Sequence, residues 1–222
     1  MIKGIKAVAF DIDGTLYPDI RLYKQMVFYF LRHLPFFIHY NRVRKIMHRT
    51  APLGDFYEYQ ARLLAEEMKI TPAQAKEKIH SICYSGLKKF FQRMKPFKYV
   101  PETFQQFKDA GLKLAILSDF PPDQKGDIWG CRELFDVILG SEEIGMLKPS
   151  KYCFGILAKE LKCKPEEILY VGNSVKYDVR GAKNAGMKAA LRIPLNKQLI
   201  GWTCDEADIC FKNYRQLCKI VL

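Results

Sequence analysis

Apolar positions in this chain fall into two textures: short continuous runs of strand length, and longer stretches with helical spacing. Ile5 to Phe10 has the length of one buried strand. From Phe97 onward the two textures alternate. Pro101 to Ala110 reads as a short helix with Gly111 just past its end, Leu112 to Leu117 as a strand stopping at Ser118-Asp119, and Phe135 to Leu139 as another strand. Lys148-Pro149-Ser150 opens a helix to about Lys162 with Ser150 as its cap. Ile168 to Val171 is a strand ending at Gly172-Asn173, and the helix after it runs to Ala185, where Gly186 ends it. Met187 to Ile193 and Ala207 to Phe211 predict further strands, and Tyr214 to Val221 a last helix. Strands alternating with helices predict βαβ units and a parallel sheet covered on both faces.

Residues 19 to 96 lack any strand pattern and predict a helical segment inserted after the first strand. Residues 20 to 34 and 36 to 49 are dense in aromatic and aliphatic residues, with Pro35 placed to break or kink the run. Asp55 is a good N-cap for a helix to about Lys69. Thr71, Pro72 and Gln74 form a capping-box pattern ahead of Ile79, Ile82, Cys83, Leu87, Phe90, Phe91 and Met94 at helical spacing, a helix expected to end at Lys95 before Pro96.

Composition narrows the class. The chain has 222 residues, 49% of them hydrophobic, which suffices for one large domain or a core with an insertion. No stretch has the ~18 continuous apolar residues of a membrane span, because Met26 to Tyr40 is broken by Arg32, His33 and Pro35. No signal-peptide pattern precedes the first strand. Seven cysteines without a Cys-x-x-Cys pair read as reduced thiols, so a cytoplasmic protein is expected. The net charge of +12 is concentrated in residues 19 to 96, with 15 Lys and Arg against 6 Asp and Glu. Such a surface attracts anions, among them phosphorylated metabolites, nucleic acid or acidic lipid, and Arg21, Lys24, Arg42, Arg44 and Lys45 are the candidate contacts.

The chemistry starts at Asp11 and Asp13, delivered by the first strand immediately before Gly14. Side chains alternate along extended chain, so both carboxylates can face one way while Ile12 faces the other. Paired acids need a cation, a proton or hydrogen bonds to compensate them. A calcium loop counted from Asp11 fails, with Leu16 in place of its glycine and Leu22 in place of its glutamate. Ser118, Lys148, Asn173 and Asp178 follow at later strand ends, which meet in one crevice in a doubly wound sheet. Two acids, a hydroxyl, an ammonium and a further acid suit a phosphate ester bound with Mg²⁺.

At this point the sequence resembles the haloacid dehalogenase (HAD) superfamily over essentially its whole length. FDIDGTLYP looks like its first motif, AILSDF its second, GMLKPSKYCF its third and ILYVGNSVKYDVRGAKNAGM its fourth. The resemblance implies an α/β fold, a HAD-like doubly wound parallel sheet (Rossmann-like core) from residues 1 to 18 and 97 to 222. The helical insertion, 19 to 96, is similar to the family's C1 cap. It further implies a Mg²⁺-dependent phosphatase acting on a small phosphomonoester, a nucleoside monophosphate or sugar phosphate among the options. Asp11 would be the nucleophile that forms an aspartyl-phosphate, Asp13 the general acid and base, Ser118 the phosphoryl-binding hydroxyl and Lys148 the charge-stabilising ammonium. Asp11, the carbonyl of Asp13, Asn173 and Asp178 would hold the metal. The second aspartate, Asp13, favours phosphoryl transfer over dehalogenation.

Two positions depart from the pattern. The fourth motif ordinarily begins Gly-Asp, whereas position 173 is Asn, whose amide oxygen can ligate Mg²⁺ without charge and therefore more weakly. Position 119 is Asp where Asn is commoner, an adjustment of local charge or neutral surface. The same motifs serve a phosphomutase, and a weakened site with a basic cap also suits a binding module for nucleic acid, anionic membrane or acidic protein. The aromatic residues Phe28, Tyr29, Phe30, Phe36, Phe37 and Tyr40 are expected to form cap core.

Overall fold

The structure, a computed structural model, describes Ile2 and residues 4 to 222. Its sheet comprises β1 (Ala7–Phe10), β2 (Lys113–Ser118), β3 (Val137–Gly140), β4 (Ile168–Gly172), β5 (Lys188–Arg192) and β6 (Ile209–Phe211). All neighbours are parallel, in the order β3-β2-β1-β4-β5-β6. The helices are α1 (Asp19–Arg32), α2 (Leu34–Met47), α3 (Phe56–Met68), α4 (Pro72–Lys78), α5 (Gly86–Phe91), α6 (Val100–Asp109), α7 (Ser141–Ile144), α8 (Lys151–Leu161), α9 (Arg180–Asn184), α10 (Leu195–Leu199) and α11 (Tyr214–Val221).

Each residue of β1 is fully buried because both faces of the sheet are covered. Val8 and Phe10 pack with Phe104 and Phe107 of α6 and Leu217 and Val221 of α11. Ala7 and Ala9 face the opposite layer, where Phe154, Leu157 and Leu161 of α8 meet Val179 and Ala182. Chain order reverses at β1 and β4, so the crevice at their carboxyl ends is the topological switch point where open α/β sheets bind ligands.

Six helices, α1 to α6, separate β1 from β2; the first five fall within residues 19 to 96, with no strand among them. Asp55 and Thr71 cap α3 and α4 as expected, the latter with a complete capping box. The run breaks at Pro35, as expected, and no kinked helix forms: the chain turns at His33, and Pro35 occupies the first turn of α2, where its missing N–H is no loss. The helix expected from Thr71 to Lys95 differs more. After α4 it widens into a π-helical stretch, Ile79–Ser85, and α5 ends at Phe91. Widening frees carbonyls for side chains from elsewhere. Tyr29 Oη donates to the carbonyl of Ile82 (3.0 Å), and Gln124 Nε2 donates to those of Cys83 (3.0 Å) and Tyr84 (2.9 Å). The third predicted strand also shifts, from Phe135–Leu139 to Val137–Gly140, because Arg132–Leu134 forms a 3-10 turn that leaves Phe135 outside the ladder. No disulfide forms among the described residues, and no helix there is long and apolar enough to cross a membrane.

Candidate active site

The β1 strand carries Asp11 past the sheet edge, and the turn that follows exists because Gly14 has φ +80°. A Cβ at Gly14 would overlap the side-chain amide of Asn173. Two loops therefore touch there only because position 14 is glycine. Thr15, one turn on, donates to Asp11 Oδ2 (2.7 Å), and its hydroxyl lies 3.3 Å from Asn173 Oδ1. Tyr214 Oη on α11 holds the same turn by donating to the carbonyl of Thr15 (2.7 Å).

Lys148 is the hub. Its ammonium, 3% exposed, donates to Asp11 Oδ1 at 2.7 Å and to Asp178 Oδ1 at 2.8 Å. Tyr170 Oη lies 3.3 Å away and itself donates to the carbonyl of Leu117 (2.8 Å). The second oxygen of Asp178 accepts from the backbone N–H groups of Asn173 (3.1 Å) and Ser174 (2.9 Å). Gly172 makes this possible, since a Cβ there would collide with Asp178. Burial by itself would lower the Lys148 pKa, yet Asp11 and Asp178 hold it well above its ordinary value, so it stays charged. For Asp11 burial wins. Its carboxyl is pushed up to about 7, with Asp178 and Asp13 adding to the rise and Lys148 opposing it.

Asp13 has a separate set of partners. Lys125 Nζ donates to both its oxygens (2.6 and 3.0 Å), and Tyr17 Oη donates to the first. Lys125 is buried, with its ammonium 3.2 Å from the centre of the Phe91 ring, and burial depresses its pKa despite Asp13. Its place is set from the helical insertion, because the preceding residue, Gln124, is anchored on the π-helical carbonyls.

The neighbourhood of Lys148 is also fixed from behind. Asp119, read as a charge adjustment or neutral surface, is neither exposed nor idle: Oδ1 accepts from Ser141 Oγ (2.7 Å) and from the backbone N–H of Lys148 (3.1 Å). Burial would raise its carboxyl, but Lys148, Arg44, His48 and Ser141 outweigh that and hold it below the usual range. His48 of the insertion reaches across, its Nδ1 donating to the carbonyl of Lys148 (2.7 Å) while its ring stacks on Tyr177. Ser118, at the end of β2, is buried, and its Oγ has no hydrogen-bond partner. The register Phe10↔Ile116 puts Ser118 level with the residues just after β1.

Asp11, Asp178, Asn173 and Ser118 thus gather with Lys148 at one crevice, whereas Asp13 stands to one side with Lys125. Among the described residues no three His, Cys, Asp or Glu side chains form a metal cluster, because the third donor at this point is an amide. Two buried carboxylates with an amide oxygen are a hard donor set, the kind Mg²⁺ takes. The residues present fit the ion, with one charge fewer than a third carboxylate would supply. Arg44, a candidate substrate contact, is instead buried in an ion pair with Glu142, bridged further by Gln60 (3.1 Å) and, on the glutamate, by Tyr84 (2.7 Å). Sequence reading passed over Lys125, Tyr17, Tyr170 and His48. Only the four-residue spacing of Asp13 and Tyr17 offered a local signal.

A family model described as haloacid dehalogenase-like hydrolase matches residues 5–186. A glyceraldehyde 3-phosphate phosphatase of Methanopyrus kandleri is 30% identical over 192 residues, covering 82% of each chain. Pyrophosphatase PpaX of Halalkalibacterium halodurans is 29% identical across 84% of this chain and 83% of its own. Among solved structures, a HAD phosphatase from Thermococcus onnurineus matches with a TM-score of 0.64 at 21% identity, covering 98% of both chains. The HAD-hydrolase YfnB of Bacillus subtilis, solved bound to magnesium, matches with a TM-score of 0.69 at 15% identity over 99% of both.

Proposed function

The chain belongs to the haloacid dehalogenase-like hydrolases, and on that premise we propose that it is a Mg²⁺-dependent phosphatase that hydrolyses a small phosphomonoester through an aspartyl-phosphate on Asp11. The observation that carries this reading is the Lys148 ammonium held between Asp11 and Asp178, with the unpartnered hydroxyl of Ser118 at the neighbouring strand end. A cation fixed at a buried carboxylate suits an anionic phosphoryl group brought to that carboxylate. A buried hydroxyl without a partner is costly until something accepts its hydrogen bond, and a phosphoryl oxygen does.

Asp11 is oriented for attack because Thr15 and Lys148 each engage one of its oxygens. Burial makes that carboxylate more basic than a solvated one, which favours nucleophilic attack. As the Asp11–phosphorus bond forms and the ester bond breaks, Asp13 gives its proton to the leaving alcohol. Asp13 then takes a proton from the water that attacks phosphorus, the Asp11–phosphorus bond breaks, and phosphate leaves with the enzyme restored. Lys125 and Tyr17 position Asp13 for both transfers. Mg²⁺ held by Asp11, Asp178, Asn173 and the main-chain carbonyl of Asp13 would supply charge neutralisation at the phosphoryl oxygens.

Phosphate release from a panel of phosphomonoesters, with and without Mg²⁺ and beside Asp11→Asn, tests the proposal. Metal-dependent release that is lost in Asp11→Asn is the expected result. Release that survives the substitution, or none from any ester, would overturn it.

A further inference from the structure

The acid that protonates the leaving oxygen marks the side of phosphorus on which the substrate's alcohol lies. Beyond Asp13 the structure has a cavity of about 500 Å³ between α1, α2 and α5. Its inner wall is apolar, formed by Leu22, Met26, Leu87, Phe91 and Phe120. Leu34 and Ile38, 47% and 46% exposed, stand at its outer side with Tyr23. On α1, Val27 and Leu31 follow Tyr23 at four-residue spacing, so the exposed apolar face continues along the helix. Apart from Asp13, the polar groups are Asn41 and the hydroxyls of Tyr23 and Tyr40.

No lysine or arginine lines this cavity. Of the candidate basic contacts, Arg44 lies behind Tyr40 and Phe120 and is bound to Glu142, and Arg21 faces a separate, larger cavity of about 690 Å³. That second cavity is lined by Lys98 and Arg192 and by none of Asp11, Asp13, Ser118 or Lys148; it lies behind the turn at Gly14, whose carbonyl accepts from Arg192 (3.4 Å), and not on the Asp13 side. The cation beside Asp13 is the buried Lys125 ammonium, which Asp13 already holds through both its oxygens, so an alcohol carrying a carboxylate or a second phosphate finds no free counter-charge there. A hydroxyl-rich one finds few partners and loses its hydration.

We infer that the alcohol released by this enzyme is apolar, an alkyl or aryl group seated in the cavity between α1, α2 and α5. The inference rests on the phosphatase reading of the same site. The rule for burial in such a pocket is a gain for each methylene removed from water, at most about fourfold per CH₂.

Linear alkyl phosphates from ethyl to octyl test it, kept below micelle-forming concentration, since the chemistry of the leaving oxygen is nearly constant along the series. The expected result is that kcat/KM rises with each added carbon, to at least about a hundredfold from ethyl to octyl, and that glycerol 3-phosphate lies near the ethyl ester. Leu34→Glu and Ile38→Glu, substitutions at exposed positions that threaten folding least, should collapse the octyl-to-ethyl ratio about tenfold. Calorimetry with the unhydrolysable ethyl- and octylphosphonates in the presence of Mg²⁺ reads the cavity without turnover. A flat or falling series with short esters still cleaved overturns the inference and leaves the phosphatase standing. Octylphosphonate bound no tighter than ethylphosphonate overturns it as well. Tight octylphosphonate binding with no ester hydrolysed keeps the cavity's preference and removes the phosphatase reading instead.

Discussion

The strand-end crevice and the helical insertion carry charge in opposite ways. In the crevice region Asp11, Lys125, Lys148 and Asp178 are buried, and each has its partner within hydrogen-bond distance. The insertion holds most of the excess positive charge, yet Arg44 is its only buried charged residue, and Arg44 is spent on Glu142 across the boundary. Isolated charge cannot be buried cheaply, so a buried charge implies a partner, and a partner implies a built site or a structural tie. Charge density along the sequence says much less. The basic richness of residues 19 to 96 suggested anion contacts there, whereas the insertion offers the site an apolar wall, a histidine and an anchor for Gln124.

The contrast breaks most visibly at Lys148. Lys148→Ala should cut kcat by about 10²–10³-fold, the scale of losing one preorganised charge-stabilising group, and phosphate release at saturating substrate measures it. It also leaves two buried carboxylates unpaired, so unfolding in urea should show a loss of about 3–5 kcal/mol. A variant with near-native turnover would mean that the ammonium is structural only.

Arg44→Met probes the other side. Because Glu142 is fully buried, losing Arg44 should cost about 3–5 kcal/mol, while Arg42→Ala and Lys45→Ala, at the surface, should stay within about 0.5 kcal/mol. Burial raises the Glu142 carboxyl, against the pull of Arg44 and Tyr84. A raised acid penalises its ionised form, so the cost of Arg44→Met should shrink as pH falls and Glu142 takes up a proton. Equal losses at all three arginine and lysine positions would erase the distinction between buried tie and solvated face.

Asp119 gives the opposite sign. Its carboxyl is held below the usual range, so it binds a proton less readily when folded than unfolded. Its contribution is therefore complete above the ordinary aspartate pKa of about 4 and fades as pH falls through its folded value. Asp119→Asn should lower stability by about 2 kcal/mol near neutrality, as expected for a hydrogen bond to a charged group, and flatten the acid limb of the stability curve. An acid limb unchanged by the substitution would assign that limb to other carboxylates.

What was readable in the sequence follows the same division. Apolar runs set β1, β2 and β4 to within about two residues, and Asp55, Thr71, Ser150 and Gly186 mark helix ends by local chemistry. The order of Asp11, Ser118, Lys148 and Asp178 along successive strand ends was legible because a parallel sheet brings those ends together. Pairings across long separations were not. Lys125 meets Asp13 from 112 residues away and Arg44 meets Glu142 from 98, and neither leaves a trace in periodicity or capping. The π-helical stretch escaped for a similar reason. Ile79, Ile82, Cys83, Leu87 and Phe91 keep an ordinary apolar spacing, while the carbonyls it frees are claimed by Tyr29 and Gln124 from other parts of the chain.

The smallest expected change lies at the Asn173 end of the crevice. Asn173 stands where its side-chain oxygen meets the Thr15 hydroxyl that serves Asp11, and where Gly14 leaves room for it. Its neighbour Asp178 is already engaged by Lys148 and by two backbone N–H groups, so the site offers Mg²⁺ two shared carboxylates and one neutral amide. Asn173→Asp adds a charge without adding volume. In Mg²⁺ titrations of phosphate release the half-saturating concentration should fall about tenfold, equivalent to about 1.4 kcal/mol, with kcat at saturating metal changed less than threefold. The added charge also faces Asp11, so the metal-free protein should be less stable in the variant and recover as Mg²⁺ is added. An unchanged titration would place Asn173 outside the metal's ligands and leave Asp11 and Asp178 as its only charged donors.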